Sequence, residues 1–354
     1  MFSDFDSQAL VECVPNVSEG RDPRIIQSMV EAIEKVRGVS VLHVDSSEDA
    51  NRSVITFVGF PPSCVEAGFR LAEKVLQWID MRKHQGIHPR MGALDVFPFV
   101  PLQHVTMDQC VALARELASR IGNALRVPVY LYGEAAFSPY RKELATIRKG
   151  GYEKLKEKLQ DPAWKPDFGP REFIPESGAV IVGAREILIA YNINLNTRDV
   201  RIASTIAGRI RESGMKVKNP NGKVQSTPGL LKACKAMGWY LEKYGIAQVS
   251  TNLTNFRMTP PHQVYWVCKQ LASSMGVEVT GSEVVGLIPL EALLEAGRFF
   301  FSQQGVLEKE ESQLIEKAIH GLGLNDLYPF QPKEKILEYA LKERLHQCKR
   351  KLSS

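Results

Sequence analysis

Hydrophobic positions along the chain switch between two spacings, and this alternation predicts strands interleaved with helices. Apolar residues predict a short strand over 10–17, and apolar residues three and four apart predict a helix over 23–36. Asp22 suits the N-cap of that helix and Pro23 its first turn. The same reading places the other elements of the first half: strands over 39–44, 53–58, 95–100 and 127–132, and helices over 61–79 and 108–121.

The second half repeats this order of elements. The predicted strands cover 179–182, 187–194, 247–253 and 284–289, and the predicted helices cover 198–213, 261–275 and 290–303. Each half reads as β-α-β-β-α-β, the split βαβ pattern of ferredoxin-like folds. We therefore predict an α+β protein of two tandem ferredoxin-like α/β sandwich subdomains with mainly antiparallel sheets.

A weak internal repeat supports two similar halves. Phe57–Pro62 resembles Phe256–Pro261 at an offset of 199, whereas Val100–Leu102 resembles Ile288–Leu290 at an offset of 188. The first half thus has eleven extra residues between its second helix and the next strand, within the loop 80–94. An enlarged loop on a repeated scaffold is a common place for a functional site.

The segment 144–177 breaks the pattern, because it is dense in proline and glycine, and we predict that it is an extended linker. The sequence after Gly305 is charged and lacks strand signals, which indicates a helical tail. The predicted domains are 1–177, 178–304 and 305–354.

Composition narrows the class of protein. The chain has 354 residues, 44% of them hydrophobic and 24% charged, which excludes disordered, collagenous and small disulfide-rich proteins. A net charge of +5 is too weak to indicate nucleic-acid binding, and no apolar run is long enough to span a membrane. Met1–Leu10 is too polar for a signal peptide, and the six cysteines form no CxxC pair. We expect reduced thiols and a cytoplasmic location.

Two histidines lie in the enlarged loop. His84 and His88 are four residues apart, but Gly86 and Pro89 disfavour a shared helical face and no third metal ligand is nearby. We therefore predict no metal. His88 precedes Pro89 in a basic loop that also contains Arg82, Lys83 and Arg90. These neighbouring cations would lower its pKa and favour the neutral imidazole. It is a candidate general acid–base, and the competing interpretation is an ordinary surface histidine.

Other polar residues have weaker signals. Asp45 ends a strand, and Asn192 and Asn194 share one face of another strand, where two amides suit either a bound heterocycle or a solvent-facing edge. A lysine cluster surrounds the loop 215–227 and is either a solvated loop or an anion-steering patch; its members are Lys216, Lys218, Lys223, Lys232 and Lys235. No dinucleotide-binding, P-loop or nucleophile-elbow motif is present.

Several long motifs resemble one family. The segments that match are 10–20 (LVECVPNVSEG), 88–96 (HPRMGALDV), 127–135 (VPVYLYGEA), 167–179 and 187–195. They resemble glutamate formimidoyltransferase, the transferase part of formiminotransferase-cyclodeaminase, over about residues 9–340. The resemblance implies transfer of a formimino group from N-formimino-L-glutamate to N5 of tetrahydrofolate during histidine degradation, with folate in a cleft between two ferredoxin-like subdomains.

The resemblance also implies roles for individual residues. The catalytic histidine falls on His88, as a proton donor to the leaving glutamate nitrogen, and an aspartate after the second strand of the family falls on Asp45. Carboxylates of the substrates suit Arg52, Arg90 or the lysine cluster, and Asn192 and Asn194 are further substrate-binding candidates. The folate-binding stretch falls on the proline-rich segment: Gly169, Pro170, Arg171, Glu172, Phe173, Ile174, Pro175, Glu176, Ser177 and Gly178.

Tetrahydrofolate, including its polyglutamylated form, is implied as a co-substrate, and the family suggests a homodimer. There are two departures from the family. Ile87 stands where the family usually has glutamate before the motif histidine, which leaves open a related transfer from 5-formyltetrahydrofolate, or folate binding without catalysis. The 354 residues leave no room for a cyclodeaminase domain, so we expect a separate cyclodeaminase or another enzyme to take the formimino product.

Overall fold

A computed structural model describes residues 5–6, 8–218, 224–305 and 309–352. The chain divides into two compact units, Met1–Glu186 and Ile187–Ser354. In the first unit the strands are β1 (Leu10–Cys13), β2 (Asn16–Val17), β3 (Val39–Ser47), β4 (Arg52–Gly59), β5 (Leu94–Gln103), β6 (Val129–Gly133) and β7 (Val180–Ala184). Its helices are α1 (Pro23–Glu34), α2 (Pro61–Trp78), α3 (Met107–Ala124), α4 (Leu144–Arg148) and α5 (Leu155–Gln160).

The first sheet contains the predicted split βαβ motif and extends it. β1 and β2 together lie between β4 and β5, β3 forms the edge beside β4, and all of these pairs are antiparallel. β7 then pairs with β5 and β6, in both cases parallel. The mainly antiparallel sheet therefore gains two parallel strands that the α+β pattern did not predict.

Local signals explain the helices on one face of this sheet. Asp22 caps α1 by accepting a hydrogen bond from the backbone N–H of Arg24, and Thr106 and Gln109 form a capping box at α3. Buried residues of α1, α2 and α3 pack with apolar side chains of the strands into the main core, which includes Met29, Leu71 and Leu117.

The segment 144–177 is not an extended connection between the units. Ile147, Leu155 and Leu159 are buried with Tyr130 and Ile181 in a second apolar cluster of the first unit, formed with side chains of β5, β6 and β7. β7, which follows this segment, belongs to the first sheet, so the units divide nine residues beyond the predicted boundary at 177.

The strands of the second unit are β8 (Ile189–Leu195), β9 (Met215–Lys218), β10 (Val224–Thr227), β11 (Cys234–Leu241), β12 (Ile246–Leu253) and β13 (Val279–Val285). Four of them form an antiparallel sheet in the order β11-β12-β8-β13, again the split βαβ arrangement. Its helices are α6 (Val200–Ile210), α7 (Pro261–Ser274), α8 (Leu290–Ser302), α9 (Glu311–Leu322), α10 (Pro332–Lys335) and α11 (Leu337–Leu352).

One prediction for this unit changes in detail, and another is confirmed. The basic segment around 215–227 contains the antiparallel pair β9 and β10 rather than a loop alone, while Lys223 lies outside the described residues. The predicted helical tail is confirmed, because α9 contributes Ile315 and Ala318 to the core of this unit.

Candidate functional site

The loop between α2 and β5 contains His88 and is held at several points by backbone hydrogen bonds. The Ile87 N–H donates to the carbonyl of Asp49 over 3.1 Å, and the Met81 N–H donates to Glu176 over 2.8 Å. Gly86 permits a close approach, because a Cβ there would lie 2.0 Å from the carbonyl oxygen of Ala50. The turn before β4 therefore positions the residues just before His88.

His84 has a structural role in this loop. Arg90 Nε donates to its Nδ1 over 3.1 Å, which requires the hydrogen on Nε2, and Nε2 donates to the carbonyl of Asn51 over 2.8 Å. Burial lowers the pKa of His84, and the charge of Arg90 lowers it further. Both ring nitrogens are thus committed within the protein, and the described residues contain no group of three or more potential metal-ligating side chains.

His88 is half-buried and has a defined tautomer. Its Nδ1 lies 2.7 Å from the carbonyl oxygen of Pro89. Because a carbonyl only accepts, Nδ1 carries the hydrogen and Nε2 is the nitrogen that gains and loses a proton. Burial lowers the pKa of His88 well below its usual range, and the positive charges of Arg52 and Arg148 lower it further. The imidazole is therefore neutral near pH 7.

The cations near His88 are not the ones that sequence proximity suggested. Arg82 pairs with Asp80 and, over 2.6 Å, with Glu176. Arg90 pairs with Glu153 over 2.6 Å and donates to His84. The direction of the His88 pKa shift is the predicted one, but the arginines that produce it come from β4 and α4.

Asp95 organises these arginines. A β-bulge at the start of β5 places Asp95 opposite the step between Asn16 and Val17, and its side chain is fully buried. Its Oδ2 accepts a hydrogen bond from Arg52 Nη1 over 2.6 Å and another from Arg148 Nη2, while its Oδ1 accepts from the Met91 N–H over 2.7 Å.

The electrostatics of this cluster follow from its charges. Burial alone would raise the pKa of Asp95, but Arg148 and Arg52 outweigh burial and lower the pKa to about 2. Asp95 is therefore ionised at neutral pH. Two guanidinium groups surround one carboxylate, so the cluster of Arg52, Arg148 and Asp95 has a net charge of +1.

The candidate folate segment lies beside the histidine loop. The backbone carbonyls of Glu176 and Ser177 accept hydrogen bonds from the N–H groups of Met81 and Ala93, which lie near the two ends of the loop that contains His88. Gly178 has a φ of +65°, and a Cβ there would lie 2.3 Å from the carbonyl oxygen of Met91. The end of this segment is therefore fixed against the His88 motif.

The start of the same segment packs on α5 and its surroundings. Arg171 Nε donates to the carbonyl of Leu159 over 2.7 Å. Phe173 stacks near Tyr152, with ring centroids 5.6 Å apart, and Tyr152 Oη donates to the carbonyl of Pro175 over 2.6 Å. Pro170, Ile174 and Pro175 are half-buried, whereas Glu172 is exposed. The segment is an ordered wall of the first unit.

The remaining candidates have protein partners. Asp45 on β3 lies 3.6 Å from His43 Nε2. Arg52 donates to Asn16 Oδ1 over 2.9 Å in addition to Asp95, so its charge is used inside the first unit. It thus contributes to the environment of His88 whether or not it touches a substrate.

Asn192 and Asn194 lie on the central strand β8 and are buried rather than at a solvent-facing edge. Asn192 donates to Glu283 over 3.0 Å, and Asn194 donates to Asp326 over 2.8 Å. Gln248 connects these two hydrogen-bonded pairs, because it donates to Asn194 and to Glu283, each over 2.8 Å. The predicted shared face is confirmed, and its amides belong to a buried polar network of the second unit.

Sequence reasoning missed Asp95 and Arg148. A carboxylate within the apolar run Leu94–Val100 is a usable signal, because a buried charge requires a partner. Arg148 has no comparable signal, since it lies in the segment interpreted as a linker.

Among the helices that the structure describes, none combines the length and the apolar character that a membrane span requires.

Comparison with known proteins adds independent evidence. A family model described as the formiminotransferase domain, N-terminal subdomain, matches residues 10–185, and a model of the formiminotransferase domain matches residues 190–342. The formimidoyltransferase-cyclodeaminase of Rattus norvegicus is 48% identical over 330 residues, which are 93% of this chain and 59% of that protein. The chain therefore spans about three fifths of the length of such relatives.

Shorter relatives match nearly end to end. The glutamate formimidoyltransferase of Thermoplasma acidophilum is 42% identical over 311 residues, 87% of this chain and 97% of that protein. The glutamate formimidoyltransferase of Streptococcus pyogenes serotype M1 is 42% identical over 291 residues, 82% of this chain and 93% of that protein.

Proposed function

Because the chain belongs to the formiminotransferase family, as its motifs predicted, we propose that it is a glutamate formimidoyltransferase. It transfers the formimino group of N-formimino-L-glutamate to N5 of tetrahydrofolate and releases L-glutamate, a reaction of histidine degradation. The observation that supports this most directly is His88, a neutral imidazole with its Nδ1 hydrogen donated to Pro89 and a buried cationic cluster beside it.

The chemistry requires two proton transfers that one imidazole can perform. N5 of tetrahydrofolate attacks the formimino carbon and must lose a proton, which Nε2 of neutral His88 accepts. The glutamate nitrogen cannot leave as an anion, so the resulting imidazolium returns the proton to that nitrogen as the carbon–nitrogen bond breaks. Such general acid–base catalysis contributes about 10²–10⁴-fold to the rate.

The lowered pKa of His88 fits this sequence of events. A histidine that rests in the neutral form is ready to act as a base, and its imidazolium is a strong acid once formed. Arg52 and Arg148 promote both properties, because their positive charges destabilise the imidazolium.

We assign the folate contact to Gly169–Gly178 within this proposal. The segment is joined to the His88 loop by the hydrogen bonds of Glu176 and Ser177, which supports a role close to the reacting centre. Asp45, Arg90, Asn192 and Asn194 are secondary candidates for substrate contact, each with the protein partners given above.

The test is direct. Purified protein mixed with N-formimino-L-glutamate and tetrahydrofolate is expected to form 5-formiminotetrahydrofolate, followed as its acid-converted methenyl form. His88→Asn is expected to lower kcat by about 10²–10⁴-fold with little change in folate affinity. His84→Asn is the matched control, because it also removes an imidazole from this loop. We expect it to lower the stability of the folded protein rather than to act directly on the proton transfer.

Other results would revise the proposal. Product from 5-formyltetrahydrofolate but not from formiminoglutamate would assign a different donor, and folate binding without either product would assign a non-catalytic role. Turnover by His88→Asn within a few-fold of the wild type would remove His88 from catalysis.

The homodimer and the cytoplasmic location belong to the same proposal. Light scattering over a range of protein concentrations tests the dimer, which predicts a mass near twice 39.6 kDa.

A further inference from the structure

Among the described residues of the first unit, Asp95 is the one acidic side chain paired with the buried guanidinium groups of Arg52 and Arg148, which leaves a surplus of positive charge. Asp95 supplies one carboxylate to Arg52 and Arg148. Arg52 gives further hydrogen bonds to Asn16, but Asn16 is uncharged. Nε of Arg148 is buried and has no hydrogen-bond partner among the described residues. A guanidinium has five N–H donors, so Arg148 has donors beyond the one given to Asp95.

This surplus charge is attached to the His88 motif. The same Asp95 that binds Arg148 also accepts from the Met91 N–H, three residues after His88. Arg148 is thus hydrogen-bonded to the same carboxylate that holds the turn His88-Pro89-Arg90-Met91. An anion bound by Arg148 would lie close to the imidazole that moves the proton.

We propose that Arg148 is a specificity-determining residue that binds the α-carboxylate of the formimino donor. The inference rests on the proposed function and deepens it. In N-formimino-glutamate, the α-carboxylate is joined through a single carbon to the nitrogen that must be protonated. In a folate, the glutamate carboxylates are separated from N5 by the whole aminobenzoyl group. A cation adjacent to the proton-transfer residue therefore fits the donor and not the acceptor.

The geometry also fits the known preference of guanidinium for carboxylates. A planar guanidinium binds a carboxylate through directed, charge-assisted hydrogen bonds, and these are strongest where water is excluded. With Nη2 held by Asp95, the guanidinium of Arg148 is oriented before the donor arrives, which reduces the entropy lost on binding.

Three donors separate this role from alternatives. N-formimino-4-aminobutyrate lacks the α-carboxylate, N-formimino-L-2-aminobutyrate lacks the side-chain carboxylate, and N-formimino-L-glutamate has both. The wild type is expected to use the first compound with kcat/KM about 10- to 100-fold lower than the third, the size of one hydrogen bond to a charged group.

Arg148→Gln is expected to lower kcat/KM about 10- to 100-fold for both donors that have an α-carboxylate. For N-formimino-4-aminobutyrate, assayed at a pH above the acidic limb of both proteins so that His88 is neutral in each, the same variant is expected to remain within about threefold of the wild type, because that donor makes no contact to lose. The loss on the normal donor should be mainly in KM. Lys149→Gln removes the neighbouring exposed charge and is the matched control; it should leave all three donors unchanged.

The outcomes are distinct. An equal loss by Arg148→Gln on all three donors would limit Arg148 to supporting the fold and the charge environment of His88, and the inference would be wrong while the transferase assignment stood. If Arg148→Gln does not fold, the wild-type ranking of the three donors decides, since equal use of all three overturns the inference. No transfer by the wild type from any donor would overturn the proposed function itself.

Discussion

Asp95 is the residue on which the candidate site depends most, and its replacement gives the sharpest test of the buried cluster. Asp95→Asn keeps the shape of the side chain but removes the charge that neutralises Arg52, whose side chain is 7% exposed, and Arg148. Removing one partner of a buried ion pair typically costs about 3–5 kcal/mol. Because both guanidinium groups lose their counter-charge, we expect a loss near the lower end of that range, about 3 kcal/mol, in the free energy of unfolding at pH 7.

The pH dependence provides a second measure of the same interaction. The pKa of Asp95 is about 2 in the folded protein and about 3.9 for an unfolded aspartate, a difference that corresponds to roughly 2–3 kcal/mol. A lowered pKa in the folded state means that the stabilisation is complete above pH 3.9 and disappears as the pH falls towards 2. The stability difference between wild type and Asp95→Asn should therefore shrink between pH 5 and pH 2.

Urea denaturation followed by circular dichroism measures both effects. Asp167→Asn is the matched control, because Asp167 pairs with one arginine, Arg141, over 3.0 Å and accepts from the Leu131 N–H. Asp167→Asn is expected to lower the free energy of unfolding by less than Asp95→Asn does. Unchanged stability of Asp95→Asn at pH 7, or a difference from wild type that does not vary with pH, would refute the account of Asp95 as the counter-charge of both arginines.

Three further predictions concern the same two units. Arg148→Gln removes a positive charge near His88, so the pKa of His88 should rise, and the acidic limb of a plot of kcat/KM against pH should move to higher pH; an unmoved limb would exclude Arg148 as a cause of the lowered pKa. Gly86→Ala forces the loop away from Ala50, so kcat/KM should fall with a loss of about 1–3 kcal/mol in stability, whereas the exposed control Gln85→Ala should match the wild type in both assays. Gln248→Leu leaves Asn194, Glu283 and the indole N–H of Trp239 without a shared partner, so thermal unfolding should show a loss of about 3 kcal/mol; a loss no larger than that of Ser250→Ala on the same strand face would contradict the network.

Local sequence signals were sufficient for most of the fold. Asp22 and Pro23 predicted the start of α1 at the residue where the structure has it, Pro23. The prediction succeeded because capping and the missing proline N–H act within one turn. Both split βαβ units could also be predicted, because the apolar residues of their strands and helices have a clear periodicity. The parallel strand β7 was assigned to the wrong half because its run of apolar residues is compatible with either neighbouring sheet.

The segment 144–177 shows where local reasoning fails. Proline and glycine indicate where regular structure is interrupted, but they do not say what the interrupted chain packs against. Leu155 and Leu159 have helical spacing but lie in a short, highly charged run, and Ile147 stands apart from them, yet each is buried against the sheet through a short helix. Their burial depends on partners far away in sequence, such as Tyr130 and Ile181.

The residues of the candidate site likewise fall into those that local sequence predicts and those that only the fold brings together. His88 could be predicted because a motif and its basic surroundings are adjacent in sequence, whereas the residues that set its charge environment come from three separate elements. Arg52 begins β4, Asp95 lies in β5 and Arg148 ends α4. Only folding brings them together, and the predicted neighbours Arg82 and Arg90 have their own acidic partners.

The composition of this cluster argues for function over stability. A fold that needed only to bury Arg52 would pair it with Asp95 alone, since a second guanidinium adds desolvation cost and repulsion without a further counter-charge. Arg148 and Arg52 lower the pKa of Asp95 to about 2 against the effect of burial. Burial and, to a smaller extent, the charge of Arg148 lower the pKa of Arg52 to about 10, while Asp95 acts in the opposite direction. One carboxylate thus faces two buried cations. Excess charge of this kind is useful when an anionic substrate completes the neutralisation. Burial and this excess of positive charge together keep His88 neutral before the donor binds. A bound carboxylate would partly cancel the excess and so raise the pKa of His88 at the stage when the imidazole must hold a proton.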